Sequence, residues 1–154
     1  MPFVLDNSVV IGWYVESQAA VYTDGVLKLM ARDVAHVPPL WPLEFANVLC
    51  KAIGWRKITE ARAHEIIAQN ERWTILVHAT QPKPGDILSL SLAYGLSSYD
   101  VAYLDLAMRP RLPIAAKNGA LLRDIGATAA LRCENQCGCG TDICGTATCA
   151  TMRC

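Results

Sequence analysis

The sequence predicts an α/β protein, a three-layer α/β/α sandwich built on a mainly parallel sheet of four or five strands. Two observations carry this expectation. Four short segments, Phe3–Leu5, Val34–Val37, Thr74–His78 and Ile114–Ala116, are almost continuously apolar, as strands are when both faces of their sheet are covered. Between them lie longer stretches whose apolar residues recur near helical spacing, and strands alternating with helices are the mark of parallel crossovers.

Taken in order, Phe3–Leu5 ends in Asp6-Asn7-Ser8, one of which can cap a short helix over Val9–Tyr14. Residues 18–32 place Ala19, Tyr22, Val26, Leu29 and Met30 near helical spacing, and the strand at Val34–Val37 is stopped by Pro38-Pro39. A helix is expected from Leu40 to Ile53 on the apolar positions Leu40, Leu43, Ala46, Val48, Leu49 and Ile53, with Pro42 tolerated in its first turn and Gly54 at its end. Thr59 caps the next helix, which runs to Arg72 and offers Ala63, Ile66, Ile67 and Trp73 as its buried stripe. After the third strand, Gln81–Gly85 reads as a loop; the following helix holds Ile87, Leu88, Leu90, Leu92 and Ala93 and closes at Gly95. Ser97 or Ser98 caps a helix over Tyr99–Met108, and Arg109–Pro113 breaks the chain before the fourth strand. A last helix over Asn118–Asp124, ending at Gly126, and a weak fifth strand near Thr128–Leu131 complete the expected domain.

With 154 residues, one domain over 1–132 is expected, long enough to bury a substantial core. The 53% apolar content excludes a disordered chain, and no apolar run reaches the ~20 residues of a bilayer span. The first six residues lack the basic region of a signal peptide, so a cytoplasmic protein without membrane attachment is expected. Six of the seven cysteines, Cys133, Cys137, Cys139, Cys144, Cys149 and Cys154, crowd the last 22 residues. This tail, 133–154, has almost no bulky apolar side chains, lacks paired C-x₂-C spacing and holds no histidine. It is expected to be a disordered extension rather than a zinc knuckle. Cys50, alone in the body, reads as a packed thiol.

In open parallel sheets, ligands bind outside the carboxyl ends of the strands. Asp6 stands at such an end, Glu44 one turn into the helix after the second strand, Asp100 in the first turn of the helix leading to the fourth, and Asn118 after the fourth strand itself. Brought to one edge, the carboxylates would repel each other, and a hard divalent cation, Mg²⁺ or Mn²⁺, is the usual remedy. Such an ion can activate water against a phosphodiester with no protein nucleophile. Each acid also has a purely structural role open to it. Asp6 can cap the first helix, Glu44 can favour a helix N-terminus, and Ser97-x-x-Asp100 fits a capping box.

Four segments carry a family resemblance: Val4-Leu5-Asp6-Asn7-Ser8-Val9, Pro42-Leu43-Glu44-Phe45-Ala46-Asn47-Val48-Leu49, Ser98-Tyr99-Asp100-Val101-Ala102-Tyr103-Leu104-Asp105-Leu106-Ala107 and Pro113-Ile114-Ala115-Ala116-Lys117-Asn118. In this order the chain resembles the PIN-domain VapC toxins of toxin–antitoxin pairs. The resemblance implies a Mg²⁺- or Mn²⁺-dependent endoribonuclease, usually a homodimer, held inactive by a small antitoxin protein whose C-terminal segment lies in the active-site groove. It also implies metal-ligand roles for Asp6, Glu44 and Asp100 and a supporting role for Ser8. The chain departs from the family pattern at Asn7, where Thr or Ser is common, and at Asn118, where many relatives carry a fourth Asp. Three carboxylates and one amide are expected to hold one metal well and a second weakly.

Formal charge is zero, with 14 basic and 14 acidic residues, so an RNA substrate must be gripped locally rather than by a global positive field. Arg56, Lys57, Arg109, Arg111, Lys117 and Arg123 are candidates. The missing field and Asn118 also suit an alternative, a non-catalytic PIN-like module that binds RNA or protein; a metal-dependent DNA nuclease would use the same residues. His36, His64 and His78 read as scattered, Asp105 as facing away from the metal, and the tryptophans as core or dimer contacts before base-stacking platforms.

Overall fold

The structure is a computed structural model that describes residues 1–15 and 20–117. The expected last helix, fifth strand and cysteine-rich tail, together with Asn118 and Arg123, lie outside the described residues. In chain order the elements are β1 (Phe3–Leu5), α1 (Asn7–Tyr14), α2 (Val21–Met30), β2 (Ala35–Val37), α3 (Trp41–Gly54), α4 (Glu60–Asn70), β3 (Ile75–Val77), α5 (Pro84–Tyr94), α6 (Ser98–Met108) and β4 (Ile114–Ala115).

The strands form one sheet in the order β3-β2-β1-β4, every pair parallel. Val4 lies at its centre, opposite His36 on one side and Ile114 on the other. All three residues of β1 are fully buried, so in this inner strand the absence of polar alternation does report cover on both faces, whereas the equally apolar edge strand β3 leaves Leu76 and Val77 exposed. The strand order explains the layers. From β1 through β2 to β3 the chain steps one way across the sheet, and from β3 to β4 it returns past both. Right-handed crossovers taken in opposite directions deposit their helices on opposite faces. Accordingly α1 packs on α2 and α3, and α3 on α4, whereas α5 packs on α6, and α6 on β1 and β4. The α/β/α sandwich is thus the observed architecture.

Local signals place most element ends. Thr59 accepts the Arg62 N–H at 3.1 Å, Ser97 accepts that of Asp100 at 3.1 Å, and Asp6 accepts that of Ser8 at 2.8 Å, each satisfying a donor that a helix N-terminus leaves unpaired. Gly95 closes α5 at φ 63°, the left-handed conformation that glycine adopts without strain. α5 itself begins at Pro84, inside the expected loop, because proline at the first helical position loses no intrahelical bond.

Two stripes differ from expectation. α3 buries Trp41, Phe45, Leu49 and Ala52 and leaves Leu43 and Ala46 exposed. The true stripe follows the large aromatics, with Trp41 stacked on Phe45 at 5.1 Å, since these side chains remove the most apolar surface from water. In α4, Ala63 and Ile66 are buried but Ile67 is exposed and Trp73 lies beyond the helix, half-buried against Trp13. α6 is buried nearly all round, through Val101, Ala102, Tyr103, Leu104, Leu106 and Ala107, as a helix between sheet and outer helix must be.

Candidate functional site

The reversal in strand order opens a crevice between the carboxyl ends of β1 and β4, where ligands of open α/β sheets bind. Asp6 follows β1 directly, and its backbone N–H donates to the Ala115 carbonyl at 2.9 Å, which ties the start of α1 to the end of β4. The Asp6 carboxylate accepts from both the backbone N–H and the hydroxyl of Ser8. Ser8 in turn accepts the Lys117 backbone N–H at 2.9 Å. Glu44 occupies the first turn of α3 and accepts a hydrogen bond from the Tyr103 hydroxyl of α6. Asp100, in the first turn of α6, accepts from the Ser97 hydroxyl at 2.6 Å. The capping role open to Asp6 is therefore realised, and Ser97 caps α6, but the Asp100 carboxylate takes the Ser97 hydroxyl rather than its backbone N–H, so the capping box is half formed; these contacts orient both carboxylates.

Electrostatics link the three acids. Burial pushes the Asp6 carboxyl up from the usual range; the Ser8 hydrogen bonds oppose this, and the Asp100 charge adds to it. Glu44 is likewise raised by burial, opposed by the Tyr103 hydrogen bond and reinforced by the charges of Asp6 and Asp100. Like charges in a poorly solvated cleft favour proton uptake or a cation. Among the described residues no Lys, Arg or His forms an ion pair with Asp6 or Glu44, and no three His, Cys, Asp or Glu side chains close on one point as a ready-made metal cage. The acids share a field rather than a finished coordination sphere.

A cleft of about 430 Å³ is lined by Asp6, Asn7, Ser8, Ile11, Glu44, Val48 and Lys117. Asn7 was not among the expected site residues. Its side chain is buried, yet neither the amide oxygen nor the amide nitrogen has a hydrogen-bond partner, and an orphaned buried amide at a cleft is a place where water or a ligand atom is needed. Tyr103 was also missed. Its only sequence signal was the three-residue spacing from Asp100, which puts both on one side of a helix.

Other candidates fall elsewhere. Asp105 pairs with Arg109 of the same helix at 2.8 Å. Arg56 and Lys57 lie just past the far end of α3 beside exposed Trp55, with the Lys57 ammonium 5.4 Å from its ring centre. Arg111 is exposed in the turn before β4. Trp41 is core, as expected, whereas Trp55 is not. The histidines are not all scattered: His64 is exposed on α4, but His36 Nδ1 in β2 and His78 Nε2 just past β3 stand 2.8 Å apart.

No protein-family model and no curated protein matches the chain. Among solved structures it is similar to the crystal structure of PAE2754 from Pyrobaculum aerophilum, with 16% sequence identity and a TM-score of 0.59 over 88% of this chain and 92% of that one. A likeness at that identity shows the fold alone.

Proposed function

We propose that this chain is a PIN-domain, VapC-like endoribonuclease, the toxin of a toxin–antitoxin pair, which cuts RNA with Mg²⁺ or Mn²⁺. The observation that supports the reading is that Asp6 and Glu44, from distant parts of the chain, line one cleft beyond the carboxyl ends of the parallel strands, with the charge of Asp100 acting on both. The donor set suits such an ion: hard carboxylate oxygens whose mutual repulsion a divalent charge relieves, beside an unpartnered amide at Asn7. Asp6, Glu44 and Asp100 would hold it, with Asn118 contributing an amide oxygen.

When bound, the ion supplies Lewis-acid chemistry, activating water and neutralising charge on the phosphate. The chain's residues do the rest. Ser8 fixes one oxygen of Asp6, and Ser97 fixes one of Asp100, so neither carboxylate must be ordered when the site is loaded. Partial burial of Asp6 and Glu44 lowers the local dielectric and strengthens their attraction for a cation. Lys117 stands exposed on the rim, where its charge suits the phosphate backbone. A homodimer and an antitoxin segment in the cleft belong to the same proposal. Among the described residues no helix is long and apolar enough to cross a membrane.

The test is to incubate single-stranded RNA with the purified chain in Mg²⁺ and in EDTA and to sequence the ends produced. Metal-dependent ends that vanish in Asp6→Asn and Asp100→Asn support the reading, and equal cleavage by the variants rejects it. RNA retained but never cut in Mg²⁺ would instead identify a binding module, and preferential cutting of DNA would identify a DNA nuclease.

A further inference from the structure

The structure assigns Tyr103 the task of positioning Glu44, an inference that rests on the nuclease reading above. Tyr103 heads the fully buried side chains by size, among the described residues. A phenol in such a place needs a hydrogen-bond partner, and the one it takes is Glu44 Oε2, 59 residues away in sequence. Two helices on opposite faces of the sheet are thereby tied through a carboxylate that lines the cleft.

The arrangement differs from a tyrosine that merely satisfies itself on the nearest carbonyl. The phenol O–H donates and the Glu44 carboxylate oxygen accepts. Tyr103 lies three residues after Asp100 on α6, so the helix that presents one acid of the cluster also fixes another. Glutamate has three rotatable side-chain bonds, and a free one would lose that freedom on binding a cation. With Oε2 held by the phenol, the loss has already occurred on folding, and the other oxygen is left for a ligand.

The experiment uses the full chain and Tyr103→Phe, which removes one oxygen and keeps the ring. Mn²⁺ binding is measured by calorimetry, and Mg²⁺-dependent RNA cleavage is measured beside it. Loss of a group that orients a metal ligand weakens metal affinity by about tenfold or more, and that loss is expected here with circular dichroism unchanged. In a Glu44→Gln background Tyr103→Phe should have no further effect on Mn²⁺ affinity, because the tyrosine acts through the carboxylate. Wild-type affinity and rate in Tyr103→Phe, or an undiminished tenfold loss in the Glu44→Gln background, overturns the inference while leaving the nuclease reading intact. A wild-type chain that neither binds Mn²⁺ nor cuts RNA overturns both. If Tyr103→Phe does not fold, infrared difference spectra of the wild-type chain put the same question. Mn²⁺ should shift the buried tyrosine C–O band along with the carboxylate bands, and an unmoved tyrosine band overturns the inference.

Discussion

The hydroxyl of Ser8 accepts the backbone N–H of Lys117 at 2.9 Å, across 109 residues of sequence, while donating to Asp6. One small side chain thus joins the end of β1 to the segment after β4 and orients the first acid. Ser8→Ala removes both bonds and takes away the acceptor of a backbone donor. The expected cost is about 1–2 kcal/mol in chemical denaturation. Because the Ser8 bonds hold the Asp6 proton affinity down, the variant should also show a higher Asp6 pKa in carboxyl NMR titration. An unchanged denaturation midpoint would show that this bridge contributes nothing.

Asp6→Asn should raise stability while abolishing metal-dependent cleavage. Asn caps helices about as well as Asp, so the contact to the Ser8 N–H survives, whereas burial of a charge and its repulsion with Asp100 disappear. A gain of about 1 kcal/mol is expected from thermal melts. The pH dependence follows with its sign. Folded Asp6 and Glu44 have pKa values raised above the ordinary 3.8 and 4.5, so the native state binds more protons than the unfolded chain in the interval between. Stability present at acid pH is therefore lost as pH rises through the folded values. That loss should be shallower in Asp6→Asn.

Divalent metal should reverse the same penalty. Binding to the folded chain alone, at a concentration 100 times its dissociation constant, adds about 2.7 kcal/mol. Differential scanning calorimetry should show a rise in melting temperature with Mn²⁺ that EDTA removes and that Asp100→Asn largely abolishes. With an amide at position 118, titration with Mg²⁺ alone should reveal one well-occupied site. Two tight sites would contradict the ligand count.

The His36–His78 pair predicts a separate acid response. Burial and the neighbouring His78 charge lower the His36 pKa from 6.5, so below that value the unfolded chain binds the extra proton. Stability should fall as pH drops from 6.5 through the folded pKa. The His36 Nδ1 and His78 Nε2 atoms stand 2.8 Å apart between β2 and the end of β3, and His78→Gln removes one of the two causes. A shallower acid limb for His78→Gln than for wild type, measured by urea denaturation between pH 7 and 5, is the expected result. Parallel curves would show that the pair carries no charge coupling.

Sequence by itself determined what depends on neighbours along the chain. Apolar runs such as Phe3–Leu5 announced buried strands, Thr59 and the Ser97-Ser98 pair announced helix starts, Gly95 announced a helix end, and the acids at Asp6, Glu44 and Asp100 stood out because each follows or precedes a strand. Periodicity and capping involve residues within about one turn, so their physics is written locally. The tertiary structure alone decided the rest. Whether α3 buries Leu43 or Trp41 depends on what lies opposite, and the partners of Tyr103 and His36 sit 59 and 42 residues away. Those meetings follow from the order β3-β2-β1-β4. Strand order is fixed by how whole faces pack against one another, an outcome that no single segment's pattern contains.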